Sequence, residues 1–188
     1  CLAKDMVKSG AKVHIVGDYD VDGVLGTSIL YEGFCHLGAD VSTRIPHRMS
    51  EGYGLKETII DEIDDGLLVT IDNGIAAVPA IRKAKEKGLT VIVIDHHQLR
   101  KGEEMPPADI VVDPHVVYDN EEDFADWCGA GLAYRFVRKL LPDEKELADK
   151  MLCYAAMATI ADCVPLKREN RFLVQEGLKN MVDPNKRT

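Results

Sequence analysis

The stretch LLVTIDNGIAAVPAIRKAKEKGLTVIVIDHH, residues 67–97, decides the fold. It contains two short runs, Leu67 to Ile71 and Val91 to Ile94, that are apolar at nearly every position. Such runs suit strands of a parallel sheet covered on both faces, not an antiparallel sheet with one wet face. Between them, Ala76 to Lys87 has helical composition and is stopped by Gly88. Strand, helix and strand make a βαβ unit. Each strand is followed at once by polar residues: Asp72-Asn73-Gly74 after the first, Asp95-His96-His97 after the second.

Working outward, Val13 to Val16, Val41 to Ile45 and Ile110 to Val112 predict three further strands, with helices over Gly23 to Leu37, broken by Gly38, and Leu55 to Ile63. The expected class is α/β: an open, mainly parallel five-stranded sheet with helices on both faces, followed by a C-terminal helical segment. After about residue 126 only helices are predicted: Gly131 to Leu141 stopped by Pro142, Lys145 to Ile160, and Asn170 to Met181. Arg100 to Trp127, with Pro106-Pro107, Pro114 and the acidic stretch Asp119 to Asp123, reads as loop. The expected organisation is one catalytic domain over residues 1–165, with 166–188 as the helical start of a connection to a further domain. Starting at Cys1 inside a helical pattern and ending at Asn185-Lys186-Arg187-Thr188, the chain reads as part of a longer protein.

The 188 residues are 46% hydrophobic, enough for one full core. No apolar run approaches the ~18 to 20 residues of a membrane span, and CLAKDMVKSG lacks the basic-then-apolar order of a secretory signal. Cys1, Cys35, Cys128, Cys153 and Cys163 are odd in number and never spaced CxxC, so they read as reduced thiols, neither disulfide framework nor zinc knuckle. The expectation is a soluble, cytoplasmic monomer. A net charge of −9 opposes a surface that holds nucleic acid through clustered Lys and Arg alone. The objection weakens where acidic residues converge on divalent cations that reverse the local field.

In an open parallel sheet, ligands bind beyond the carboxyl ends of the strands. The first strand is followed by GDYDVDG, with Asp18, Asp20 and Asp22; the third by Asp72; the fourth by Asp95, His96 and His97. One Asp suffices for capping, whereas three alternate carboxylates on a short loop repel one another unless a cation sits among them, which points to a metal site. Asp72-Asn73-Gly74 alone is also ordinary turn chemistry. Carboxylates with one or two imidazoles suit manganese or magnesium and not structural zinc, which favours thiolates. Asp162 in MATIADCVPL ends an apolar helix, where the helix dipole disfavours an acid unless a cation compensates. Arg48, in PHRMSEGYGL, either grips a phosphate beside a turn built on Gly52 and Gly54 or faces solvent. Gly129 and Gly131 in CGAG (128–131) fit either a close-packed helix start or a nest contacting substrate phosphate.

Six blocks in order resemble the motif series of the DHH phosphoesterases: DYDVDG (18–23), RMSEGYGL (48–55), TIDNG (70–74), DHH (95–97), CGAG (128–131) and ATIADCVPL (158–166). DYDVDG and the R-x-x-EGYGL block are similar to the family's single-stranded-DNA exonucleases. Its manganese pyrophosphatases and its cyclic-dinucleotide or short-RNA phosphodiesterases usually carry a His where Val16 stands. The resemblance implies that Asp20, Asp22, Asp72, His96 and Asp162 coordinate two manganese or magnesium ions, with Asp72 bridging them and Asp18 a further ligand or acceptor. It implies that His97 faces the scissile phosphate and that Arg48 holds a substrate phosphate. VVDPH (111–115) departs from the pattern, because an Asn-Pro dipeptide is expected where Asp113 stands; the roles of Asp113 and His115 stay open. A glycine-rich associated domain and an oligonucleotide-binding fold, which follow in full-length relatives, are absent from the sequence. The implied function is metal-dependent 5′ to 3′ exonuclease action on single-stranded DNA in repair and recombination, alongside replication or repair proteins. The alternatives are a phosphodiesterase for cyclic dinucleotides or short oligonucleotides, and a non-catalytic scaffold.

Overall fold

The computed structural model describes residues 1–100, 102–117 and 124–182, so the acidic stretch 119–123 and the final residues 183–188 lie outside it. Strands β1 (Val13–Val16), β2 (Val41–Arg44), β3 (Leu67–Ile71), β4 (Thr90–Ile94) and β5 (Ile110–Val112) form one sheet in the order β2-β1-β3-β4-β5. All four pairings are parallel, with Val13 opposite both Val41 and Leu67, and Ile71 opposite Ile94. Every carboxyl end therefore lies on one edge. The strand order turns back between β1 and β3, where such sheets open a crevice.

Helices α1 (Leu2–Lys8), α2 (Val21–His36), α3 (Glu57–Asp61) and α4 (Val78–Glu86) precede or link the strands; α5 (Pro114–Val117), α6 (Gly129–Leu140), α7 (Lys145–Ala161) and α8 (Arg168–Val182) follow. The near-continuous apolar runs of β3 and β4 are explained by two cores. Val69, Ile71, Ile92 and Ile94 pack with α2, α6 and α7 on one face, and Leu68, Val91 and Val93 pack with α3 and α4 on the other. Each such side chain, fully buried, contributes about 1.5–3 kcal/mol. Glycines let α2 approach closely: a Cβ on Gly26 would lie 2.6 Å from the Ile71 side chain, and one on Gly33 would lie 2.6 Å from Val137 on α6.

α8 buries Asn170, Leu173, Val174 and Gly177, and a Cβ on Gly177 would lie 2.4 Å from Ala156 of α7. Helices α2, α6 and α8 each start two residues earlier than their composition predicts. α2 begins at Val21 because Asp20 caps it, accepting from the Gly23 amide at 2.9 Å, and α6 begins at Gly129 with Cys128 as its cap. The short α5 lies where loop is expected, in the turn after β5. No helix among the described residues is long and apolar enough to cross a membrane.

Candidate metal centre

The edge formed by the strand ends brings together residues far apart in sequence. Ligand atoms of Asp18, Asp20 and Asp72 lie within 4.8 Å of one another, as do those of Asp22, His96 and Asp162, and those of Asp72, His96 and His97. His96 is the hub: its Nε2 lies 3.0 Å from Asp72 Oδ1, 3.6 Å from Asp22 Oδ2 and 3.9 Å from Asp162 Oδ2. Asp162 arrives from the carboxyl end of α7, so the set joins three strand ends and one helix end.

Local backbone fixes each donor. Strand pairing runs one residue past β3, with the Asp72 amide donating to Ile94 O at 3.0 Å, after which Asp72 takes φ +59°. That left-handed conformation is tolerated best by Asn and Asp among side-chain-bearing residues, and it turns the carboxylate into the crevice. Asn73 anchors the turn by donating to Ile71 O and Val16 O. Asp22 is clamped by the start of α6: its two oxygens accept from the Gly129 amide at 2.6 Å and the Ala130 amide at 2.8 Å. The Gly131 amide faces Cys128 Sγ at 3.3 Å. Those amides face Asp22 and Cys128, the close-packed helix start that is the other reading of Gly129 and Gly131. The helix N-terminus holds an anion, and the anion is Asp22.

The first residue of the DHH run has a separate task. Asp95 is buried and accepts from the Ile75 amide at 2.8 Å, the His96 amide at 2.8 Å, the His97 amide at 3.3 Å and His97 Nδ1 at 2.7 Å. Burial opposes its ionisation, but the His97 contact and the amides outweigh burial and hold its carboxyl below the usual carboxylate range. The Asp95 contact in turn pushes the half-exposed His97 imidazole up. Tyr53 stands on the other side of that ring, its hydroxyl 3.2 Å from Nε2 and 3.4 Å from Nδ1.

The cluster is hungry for positive charge. Burial, reinforced by the Asp22 charge, pushes the Asp72 carboxyl well up despite its contact with His96. For His96, burial is outweighed by the Asp72 contact and the charges of Asp72, Asp22 and Asp162, so its pKa also rises. Burial raises Asp18 and Asp162 too, and Asp18 Oδ1 is buried without a hydrogen-bond partner. A buried orphan oxygen among carboxylates and one imidazole fits hard divalent cations.

Of the remaining residues singled out in the sequence, Arg48 lies over the Tyr19 ring, 5.2 Å from its centroid, on the rim beside Asp18 and Asp20. The glycines of its block adopt φ +74° (Gly52) and +75° (Gly54), forming the predicted tight turn, and what that turn presents is Tyr53. Sequence reasoning assigned no role to Tyr53, although an aromatic held between two turn glycines is a recognisable signal. Asp113 is buried at the end of β5, with one oxygen accepting from the His115 amide at 2.9 Å and the other unpartnered; burial pushes its carboxyl up to about 7.

Comparison with known proteins agrees with this fold. The chain is 39% identical over 189 residues to the single-stranded-DNA-specific exonuclease RecJ of Bacillus subtilis, covering 97% of this chain and 23% of that protein. It is 41% identical over 184 residues to RecJ of Thermus thermophilus, covering 94% of this chain and 26% of that protein. A crystal structure of exonuclease RecJ bound to manganese superposes with a TM-score of 0.82 at 38% identity, over 95% of this chain and 46% of that one. The chain thus spans about a quarter of the length of these curated relatives. The model of the DHH family, N-terminal domain, matches residues 12–161, which carry all the strand-end residues and stop one short of Asp162, and the chain belongs to that family.

Proposed function

We propose that the chain is the catalytic part of a metal-dependent phosphodiesterase that hydrolyses single-stranded DNA, as an exonuclease acting from a 5′ end in repair and recombination. The observation that carries the proposal is the convergence of Asp18, Asp20, Asp22, Asp72, His96 and Asp162 on one sheet edge, with His97 beside them. The relatives' names, and the manganese bound in one of them, support substrate and metal. Two divalent cations held there would lower the pKa of the attacking water and offset the charge that builds on the phosphate. Asp20, Asp22, Asp72, His96 and Asp162 would hold them, with Asp72 shared between the two, and Asp18 would offer its unpartnered oxygen. Manganese, with magnesium as the alternative, suits carboxylates mixed with imidazole.

His97, held toward its protonated form by Asp95, donates to the non-bridging oxygens of the scissile phosphate and favours the transition state as their charge grows. Arg48 on the rim holds a neighbouring phosphate. Residues beyond 165 lead on toward a further domain that grips the strand.

The test is manganese-dependent release of nucleotides from 5′-labelled single-stranded DNA, with duplex DNA and a cyclic dinucleotide alongside. Asp72→Asn is the informative variant, because Asn accepts the left-handed backbone while losing the charge; Asp72→Ala adds backbone strain of order 1–2 kcal/mol. Release from single strands alone, lost in Asp72→Asn at unchanged melting temperature, is expected. Cleavage of the cyclic dinucleotide alone, or hydrolysis that survives Asp72→Asn, would overturn the proposal.

A further inference from the structure

Beyond the metal centre, the edge of the sheet carries a second feature that none of the motif residues uses. A groove of about 360 Å³ runs between β5 and α6, lined by Val111, Asp113, Trp127, Arg135, Phe136 and Lys139, among others. Its lining includes Asp113 and Pro114 at the carboxyl end of β5, one strand spacing of about 4.8 Å from the end of β4 that carries His96 and His97. Its far wall is α6, which starts at the amides clamping Asp22 and runs away from the site. The groove and the metal centre are neighbours along that edge, linked by α6 and by the adjacent ends of β4 and β5.

Two cations line the groove on a chain whose net charge is −9. Arg135 and Lys139 are both exposed, and neither is ion-paired among the described residues. The exposed Arg135 guanidinium lies over the buried Trp127 indole, 4.9 Å from the ring centroid. A planar cation fixed in this way is a platform for a nucleobase and a donor to phosphate. Arg135 and Lys139 are four residues apart on one face of α6, a rise of about 6 Å, close to the distance between successive phosphates in an extended single strand. Arg135 lies about 9 Å along the helix from Gly129, so the two cations address nucleotides beyond those at the scissile bond.

We infer that the β5–α6 groove is a track for the body of a single-stranded nucleic acid whose end lies at the metal centre, with Arg135 and Lys139 as phosphate and base contacts. The inference rests on the proposed nuclease function and names a binding site for its substrate. Stacking on Arg135 needs a base that is not already paired, so the track favours single strands. A dinucleotide is too short to reach Arg135, so the track matters only for longer substrates.

The test compares a 12-nucleotide single strand with a dinucleotide, both as substrates with manganese and, for the 12-mer, as a ligand by fluorescence anisotropy across a salt series. In Arg135→Gln/Lys139→Gln, KM for the 12-mer rises about tenfold with kcat unchanged, dinucleotide hydrolysis is unaffected, and the slope of log affinity against log salt shrinks by about 1.4, the value for two lost phosphate contacts to a single strand. Lys139→Gln alone, which leaves the Arg135–Trp127 stack intact, shrinks the slope by about 0.7. Lys4→Gln/Lys8→Gln removes the same charge from α1 and leaves all three readings as in the wild type. Equal losses on both substrate lengths, or a salt slope that does not move, overturn the track. If the wild type hydrolyses neither substrate, the nuclease proposal fails, while the anisotropy salt series still decides the track.

Discussion

Asp95→Asn isolates the residue that holds His97 in place. Asp95 presents two oxygens to four donors: Oδ2 to the Ile75 amide, and Oδ1 to the His96 and His97 amides and His97 Nδ1. A carboxamide has one acceptor. With its oxygen kept toward the histidines, its NH2 confronts the Ile75 N–H; flipped, it confronts three donors. The first orientation is the less costly, and it leaves one buried amide unsatisfied at about 1–3 kcal/mol, with the histidine contacts reduced from charge-assisted to neutral strength. A net destabilisation of about 2–4 kcal/mol is expected by urea denaturation. The ligand set is untouched, so manganese affinity by calorimetry changes little. Hydrolysis falls by about 10–100-fold, the usual effect of removing a group that orients a functional histidine. Because Asp95 raises the His97 pKa, its loss moves the alkaline limb of the pH–rate profile to lower pH. If stability falls as stated but rate and pH profile at saturating manganese match the wild type, Asp95 is a packing residue only, and His97 does not act through its charge.

Two further substitutions probe the neighbouring structure. In Gly129→Ala the new Cβ lies 2.9 Å from Asp72 Cβ and 3.1 Å from Asp22 Oδ2, so two ligands must shift; manganese affinity is expected to drop about tenfold by calorimetry with helix content unchanged, and an unaltered affinity would refute the clamp. Asp113→Asn concerns stability: with a folded pKa of about 7 against an ordinary value of 3.8, the native carboxyl binds more protons than the unfolded one between those limits, so wild-type stability is fullest below about pH 4 and is lost as pH rises to 7. The Asn variant, without that ionisation, is expected to be about 1–3 kcal/mol more stable at pH 8 in chelator and equal to wild type near pH 4. Identical denaturation curves at both pH values would show that Asp113 ionises freely in the fold.

How much of this was legible in the sequence follows from which forces act locally. LLVTI and VIVI announced buried parallel strands because each alternate residue faces one of two cores, and a parallel sheet then forces Asp18 to Asp22, Asp72 and the DHH run onto one edge without further information. Asp162 was legible through the misfit of an acid at a helix carboxyl end. The task of Asp95 was not legible, since three adjacent polar residues do not reveal that it turns inward to the Ile75 amide and holds His97. Nor was α5, a single turn in a proline-marked loop.

CGAG shows where the limit lies. Glycines at a helix start predict exposed amides and a preference for negative charge, and that inference holds, but the identity of the anion is a tertiary fact. Asp22 lies 107 residues from Gly129 in sequence, yet the tight packing of α2 on α6 sets its carboxylate against the amides at 2.6 and 2.8 Å. A tethered carboxylate at that distance is present at an effective concentration no free phosphate matches, so the anion site is filled from within the chain. Its consequence for function is indirect: by gripping both Asp22 oxygens, α6 fixes the direction from which that carboxylate meets His96 and Asp72, and ties the start of the Arg135 helix to the geometry of the metal centre.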